Sequence, residues 1–163
     1  MKYILLLLFL SATSFVIAQE DYLKEINDSW ASYAEAFITK DFKKVTTFSH
    51  PMVVEKSGGS SYFMNDLLYD QGMYESAGLQ ITALEAKQPS LVIPAGEELH
   101  AMLPYERVFL SGEEKIVEQH FALAASQDEG KTWNFFDLSK QDAESIKIYL
   151  PHYDERLNVY FKK

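Results

Sequence analysis

The 163-residue sequence contains no cysteine, and that absence removes several chemistries together. A disulfide framework, a thiolate zinc site and a thiol nucleophile all require a residue that is not there. A lipid anchor on a cysteine after a leader peptide is excluded for the same reason. Basic charge is scarce as well: 15 Lys and Arg stand against 24 Asp and Glu, a formal net charge of −9. That sign repels phosphate backbones and anionic lipid, so neither nucleic acid nor a membrane surface is an expected partner. The chain also lacks G-x-S-x-G, a phosphate-binding glycine loop, H-x-H and H-E-x-x-H. No catalytic residue, cofactor or metal ligand is assigned. There is no internal repeat, low-complexity segment or run of like charge, and the length fits one domain.

Long apolar runs are confined to the start, MKYILLLLFLSATSFVIAQ. Lys2 precedes the run, small residues follow it, and Val16 and Ala18 occupy the −3 and −1 positions of a cleavage site. Residues 1–18 read as a secretory signal peptide, too short to span a bilayer comfortably. Residues 19–163 form the expected single domain. Loss of Lys2 takes the net charge from −9 to −10. The expected localisation is export, periplasmic or extracellular, without a membrane anchor. An exported domain without disulfides depends on its apolar core, and 11 Phe, 10 Tyr and 2 Trp supply the material.

From Asp21 the apolar residues recur at three- and four-residue steps: Tyr22, Ile26, Trp30, Tyr33, Phe37 and Ile38 line one face of a long helix. Asp41 is the N-cap of a short second helix that ends by Ser49, before Pro51. Met52–Glu55 reads as a short strand, Ser57–Ser60 as a loop, and Tyr62–Tyr74 as a third helix. Strands follow at Leu79–Ala83 and Leu91–Ile93, with a turn over Pro94–Glu97. The next strand, Glu98–Leu110, must accommodate Pro104 by a bulge or an edge position. A final helix capped by Ser139 stops at Pro151, and residues 157–163 suit an edge strand or an extended tail.

The stretch KIVEQHFALAASQDEGKTWNFFDL organises the rest. It reads as a strand over 115–125, a tight turn and a return strand. Ser126, Asp128, Gly130, Thr132 and Trp133 fit S-x-D-x-G-x-T-W, a pattern that resembles the Asp-box hairpin of sialidases and propellers. Gly130 can take positive φ, Asp128 can accept from backbone N–H groups of its own turn, and Trp133 can plug the core. The motif is a structural turn first; glycan binding is the weaker functional reading it prompts. Along 115–125 the odd positions are the more apolar. They are expected to meet the helices, with Gln119 inside and Glu118 and His120 on the outer face.

Helices followed by antiparallel strands give an α+β fold, a curved sheet wrapped around the long N-terminal helix. Through the KDFKKVTTFSHP segment, the GGSSYF loop and the closing strands, residues 21–138 resemble the nuclear transport factor 2-like superfamily of cystatin-like cones. The similarity is to its exported bacterial members. It implies a cone with a pocket and, commonly, a homodimer formed through the sheet. His50, Tyr62, Gln119 and Tyr33 are the pocket candidates. The leading expectation is a non-enzymatic module for a small apolar or amphipathic ligand, or for a protein partner. The alternatives are an isomerase, dehydratase or hydrolase using His50 with Tyr62 or Gln119, and a glycan-binding protein.

Overall fold

A computed structural model describes residues 2–139 and 143–157, with side chains from Gln19 onward. It is α+β: an N-terminal helix against a strongly curled antiparallel sheet that forms a half-barrel. Helix α1 spans Lys2–Ile38, so the backbone runs helical through the expected leader and into the aromatic stripe. Helix α2 (Phe42–Phe48) starts where Asp41 accepts from the Lys44 N–H at 3.0 Å, satisfying one of the unpaired donors of the first turn.

The expected strand over 52–55 is instead a helix, α3 (Pro51–Lys56). The two valines suggested a strand, but Pro51 sits at the first helical position, where its fixed φ is preorganised and its missing N–H costs nothing. His50, extended at ψ 128°, accepts from the Met52 N–H and caps the helix. Helix α4 (Ser60–Ser76) contains the expected third helix and is longer at both ends.

The sheet comprises β1 (Gln80–Ala86), β2 (Ile93–Ala95), β3 (Glu98–Ser111), β4 (Glu114–Ser126) and β5 (Asn134–Asp137). Its order is β1-β3-β4-β5, and β2 pairs the start of β3 on the β1 side. Pro104 is not at a bulge but takes the edge position expected as the alternative, opposite the gap between the β1 ladder, which stops at Tyr105, and the β2 ladder, which stops at His100. It pairs with Phe121 in an unbroken β3–β4 register, and the irregularity falls at Ile81/Ala83 of β1. The Pro104 carbonyl accepts from the Lys87 N–H, so its nitrogen faces the β1–β2 connection, and no ladder bond with β4 is lost. Helix α5 (Ala143–Tyr149) begins four residues after Ser139, with residues 140–142 outside the described set. Of the tail expected over 157–163, only Leu157 is described.

The aromatic stripe of α1 packs into the concave face. Trp30 stacks on Tyr33 at 5.0 Å between ring centroids and meets Tyr105 at 4.8 Å and Phe135 at 5.1 Å. Its indole donates to the Leu84 carbonyl. The parity expected for β4 is reversed. Ala122 and Ala124 share the α1 core, whereas Leu123 packs in a second core with Met102, Phe136, Ile146 and Leu150. Both faces of this sheet are covered at that end, so relative apolarity could not choose between them. Volume could: a helix bearing Trp and Tyr needs small residues opposite, and the even positions hold the alanines. Glu118 and His120 therefore lie on the concave side, with His120 5.6 Å from the Tyr105 ring. Gln119 lies on the opposite face, exposed, donating to Glu106 at 3.0 Å.

Candidate functional site

Between α1, α4, α5 and the concave end of β3 and β5 lies a cavity of about 190 Å³. Its walls are apolar and mostly aromatic: Phe37 from α1, Phe63 and Leu67 from α4, Phe135 and Phe136 from β5, and Tyr149 from α5. Its floor is polar, with Tyr33, Gln71, Tyr74, Arg107 and Asp137. Asp66 and Asp70 of α4 complete the acidic part of the lining.

Arg107 is the centre of the floor and is 5% exposed. Its Nη2 donates to Asp137 Oδ2 at 2.8 Å and to the Tyr105 hydroxyl at 2.9 Å, while Nη1 donates to the Tyr74 hydroxyl at 3.2 Å. Burial works against the charge, but Tyr105, Asp137 and Tyr74 outweigh it and hold the guanidinium above its ordinary value. Burial, followed by the nearby Asp137 charge, raises both Tyr33 and Tyr105, with Arg107 opposing. The floor thus presents one permanent cation, one paired carboxylate and neutral phenols. Among the described residues, two atoms beneath this surface have no hydrogen-bond partner, Arg107 Nε, a donor, and Gln71 Oε1, an acceptor; both are fully buried and closed off from the cavity. Gln71 is oriented by its amide nitrogen, which donates to the Phe37 carbonyl at 3.1 Å.

Of the four pocket candidates, Tyr33 lines this cavity and the other three do not. Tyr62 is 66% exposed, because it precedes the inward turn of α4 by one residue and packs over Gly58. Gln119 is displaced by the reversed parity of β4. His50 is buried behind the wall that its neighbours Ser49 and Val53 help to form. There it joins a second constellation. His50 Nε2 lies 3.3 Å from Glu98 Oε1, and His100 Nε2 lies 2.7 Å from Glu98 Oε2. Because His50 Nδ1 accepts from Met52, its proton resides on Nε2 and is donated to Glu98, an assignment made from the hydrogen-bond network. Burial lowers His50, against the opposing pull of Glu98. Burial would raise Glu98, but hydrogen bonds from Gln127 and His100 and the two imidazoles outweigh it, and the carboxyl is held low. Among the described residues, no group of three or more His, Cys, Asp or Glu is placed to hold a metal ion.

Gln127 of the SQDEGKTW turn donates to Glu98, and the rest of the turn is held by a local network. Asp128 Oδ1 accepts from Ser126 Oγ and from the Lys131 and Thr132 N–H groups, and Oδ2 accepts from Thr132 Oγ1. Trp133 donates to the Gly130 carbonyl and is 2% exposed. None of these residues lines the cavity. Arg107, the residue that sequence reasoning missed, did leave a signal. Ala101, Leu103, Tyr105, Arg107 and Phe109 form one face of β3, and a guanidinium interrupts an otherwise apolar row.

No family model matches the chain. Over 112 residues, 66% of its length, the chain is 30% identical to gamma-aminobutyrate transaminase 1, mitochondrial, of Oryza sativa subsp. japonica. The match spans 21% of that protein. No helix among the described residues is long and apolar enough to cross a membrane.

Proposed function

We propose that this is an exported, non-enzymatic binding module of the nuclear transport factor 2-like type, and that its cavity takes one small amphipathic molecule. The supporting observation is the lining of the cavity: aromatic walls converge on the polar side chains of Tyr33, Gln71, Tyr74, Arg107 and Asp137. A pocket of apolar walls with a few convergent polar groups is the usual form of a small-molecule site. The order of helices and the curled sheet support the family reading.

The enzyme reading loses the geometry that motivated it. His50 is 1% exposed, and Tyr62 and Gln119 face solvent elsewhere. The glycan reading rested on a turn none of whose residues lines the cavity.

The test is small-molecule mass spectrometry on extracts of the protein purified from its own compartment, compared with Leu67→Trp, which fills the cavity. A compound released by the wild type and absent from the variant supports the reading. The same compounds in equal amounts from both proteins would contradict it.

A further inference from the structure

Resting on the reading that the cavity binds a small molecule, we infer that its ligand is an organic cation. A compact apolar body, one ring in size, sits against the aromatic walls and ends in an ammonium group held at the mouth by Asp66 and Asp70. Charge, position and size each bear on this choice.

The described lining residues include three carboxylates, Asp66, Asp70 and Asp137, and one cation, Arg107. Asp137 and Arg107 answer each other at 2.8 Å. The other two carboxylates stand four residues apart on α4 and are neighbours on one face of it. Helix α4 holds three acidic residues and no basic one, and the whole chain has a formal charge of −9. The field at the mouth therefore draws cations in and turns anions away.

The two signs of charge sit at different ends of the cavity. Tyr74, which accepts from Arg107 Nη1, comes eight residues after Asp66, about 12 Å further along the helix axis. Asp66 is exposed and Asp70 half-buried, whereas Arg107 is buried. An ammonium at the Asp66 end is close to carboxylates, distant from the guanidinium and still in contact with water, so it avoids the cost of full desolvation. Tyr62 and Tyr69 lie four residues before and three after Asp66, and are 66% and 68% exposed. Large aromatic rings left in water beside two carboxylates suit a cation, which the face of a ring also attracts.

The walls distinguish an organic cation from a bare metal ion. Phe37, Phe63, Phe135, Phe136 and Tyr149 offer ring faces and edges rather than ligand atoms. Among the described residues, no group of three or more His, Cys, Asp or Glu is placed to hold a metal. A volume of about 190 Å³ falls below the ~300–1,000 Å³ of sites for drug-sized molecules. One ring with a short substituent fits, and a fused polycycle does not.

Three single-ring compounds of similar size separate the charge classes when each is titrated calorimetrically into the full chain at neutral pH. Benzylamine is the cation, acetophenone the uncharged compound and benzoate the anion. Benzylamine is expected to bind about tenfold more tightly than acetophenone, the scale of two partly exposed ion pairs, and benzoate more weakly than acetophenone. Asp66→Asn and Asp70→Asn keep the shape of each side chain. Each should weaken benzylamine about threefold, and together they should bring it to the acetophenone level with acetophenone unchanged. Added salt should shrink the advantage of benzylamine in the wild type, which serves if a variant does not fold. Leu67→Trp, which fills the cavity, should abolish binding of all three. Tightest binding by acetophenone or benzoate, lost in Leu67→Trp, would overturn the ligand class and leave the cavity reading standing. A benzylamine advantage untouched by both Asn variants would overturn the roles of Asp66 and Asp70. Benzylamine binding that persists in Leu67→Trp would mean attraction to the outer surface and would overturn the site. No binding by any of the three would overturn both the ligand class and the cavity reading.

Discussion

Gly130 lies against the ring of Tyr22 so closely that a Cβ added to it would sit 2.3 Å from Tyr22 Cε1. Tyr22 also meets Trp133 edge to face at 6.1 Å. The start of the aromatic stripe and the corner of the β4–β5 connection are therefore one packed unit. Gly130 is required twice over, for its φ of 88° and for the space its missing side chain leaves. Gly130→Ala is expected to destabilise the fold by roughly 2–4 kcal/mol, combining left-handed strain with overpacking. Chemical denaturation of Gly130→Ala, Tyr22→Ala and the double variant checks it. The double variant should lose less than the two singles added together, because removing the ring removes the clash.

Arg107 and Asp137 are unequally buried, with side chains 6% and 31% exposed. Removing the carboxylate strands a buried cation, whereas removing the cation leaves a carboxylate that water can reach and that still accepts from the Ser139 N–H. Asp137→Asn is therefore expected to cost about 3 kcal/mol, and Arg107→Met distinctly less. Urea midpoints of the two variants decide it. The reverse order would mean that the guanidinium is not the strained partner.

The His50–Glu98 pair makes the protein acid-sensitive, and the sign follows from the two shifts. His50 is lowered from 6.5 in the folded protein, so the unfolded chain takes up its proton first as pH falls below that value. Glu98 is lowered from 4.5, so its contribution is present above that pH and disappears as pH falls through the folded value. Both effects make stability decline on acidification, beginning near pH 6.5, with a slope of at most ~1.4 kcal/mol per pH unit for each proton. His50→Asn keeps a capping side chain for α3 and removes the titration. Its stability between pH 5 and 7 should be flatter than that of the wild type, measured by denaturation at each pH. An unchanged slope would remove His50 from the account.

Asp128 is held below its ordinary value chiefly by the Thr132 backbone N–H, with smaller help from the Thr132 and Ser126 hydroxyls and Lys131. Asp128→Ala is expected to cost roughly 1–2 kcal/mol of stability and to leave the affinity of the cavity for a single-ring probe such as acetophenone unchanged, since the turn is outside the cavity. A loss of affinity without loss of stability would tie the turn to function after all.

The legible parts of this chain were those in which local sequence decides. The 3.6-residue stripe from Tyr22 to Ile38, the Asp41 cap and the turn around Gly130 each carry their reason within a few residues. Pro51 was legible only as a stop signal for the preceding helix. That it also starts the next one depends on His50 turning its imidazole back to Met52. The facing of β4 was misread because Leu123 and Phe121 outweigh Ala122 and Ala124 in apolarity, while the choice is made by the volume of Trp30 and Tyr105 across the core. That error carried Gln119 into the expected pocket. The cavity itself brings together α1, α4, β3, β5 and α5, and no spacing along the chain records that convergence.

Methyl-selective NMR during titration with acetophenone, a single-ring probe small enough for a cavity of about 190 Å³, tests the central claim most directly. Saturable shifts are expected at the Val53 and Leu67 methyls, which line the cavity, with none at Leu68 or Val117, which are 53% and 45% exposed on the surface. Shifts at Leu68 or Val117 with Val53 and Leu67 silent would contradict it.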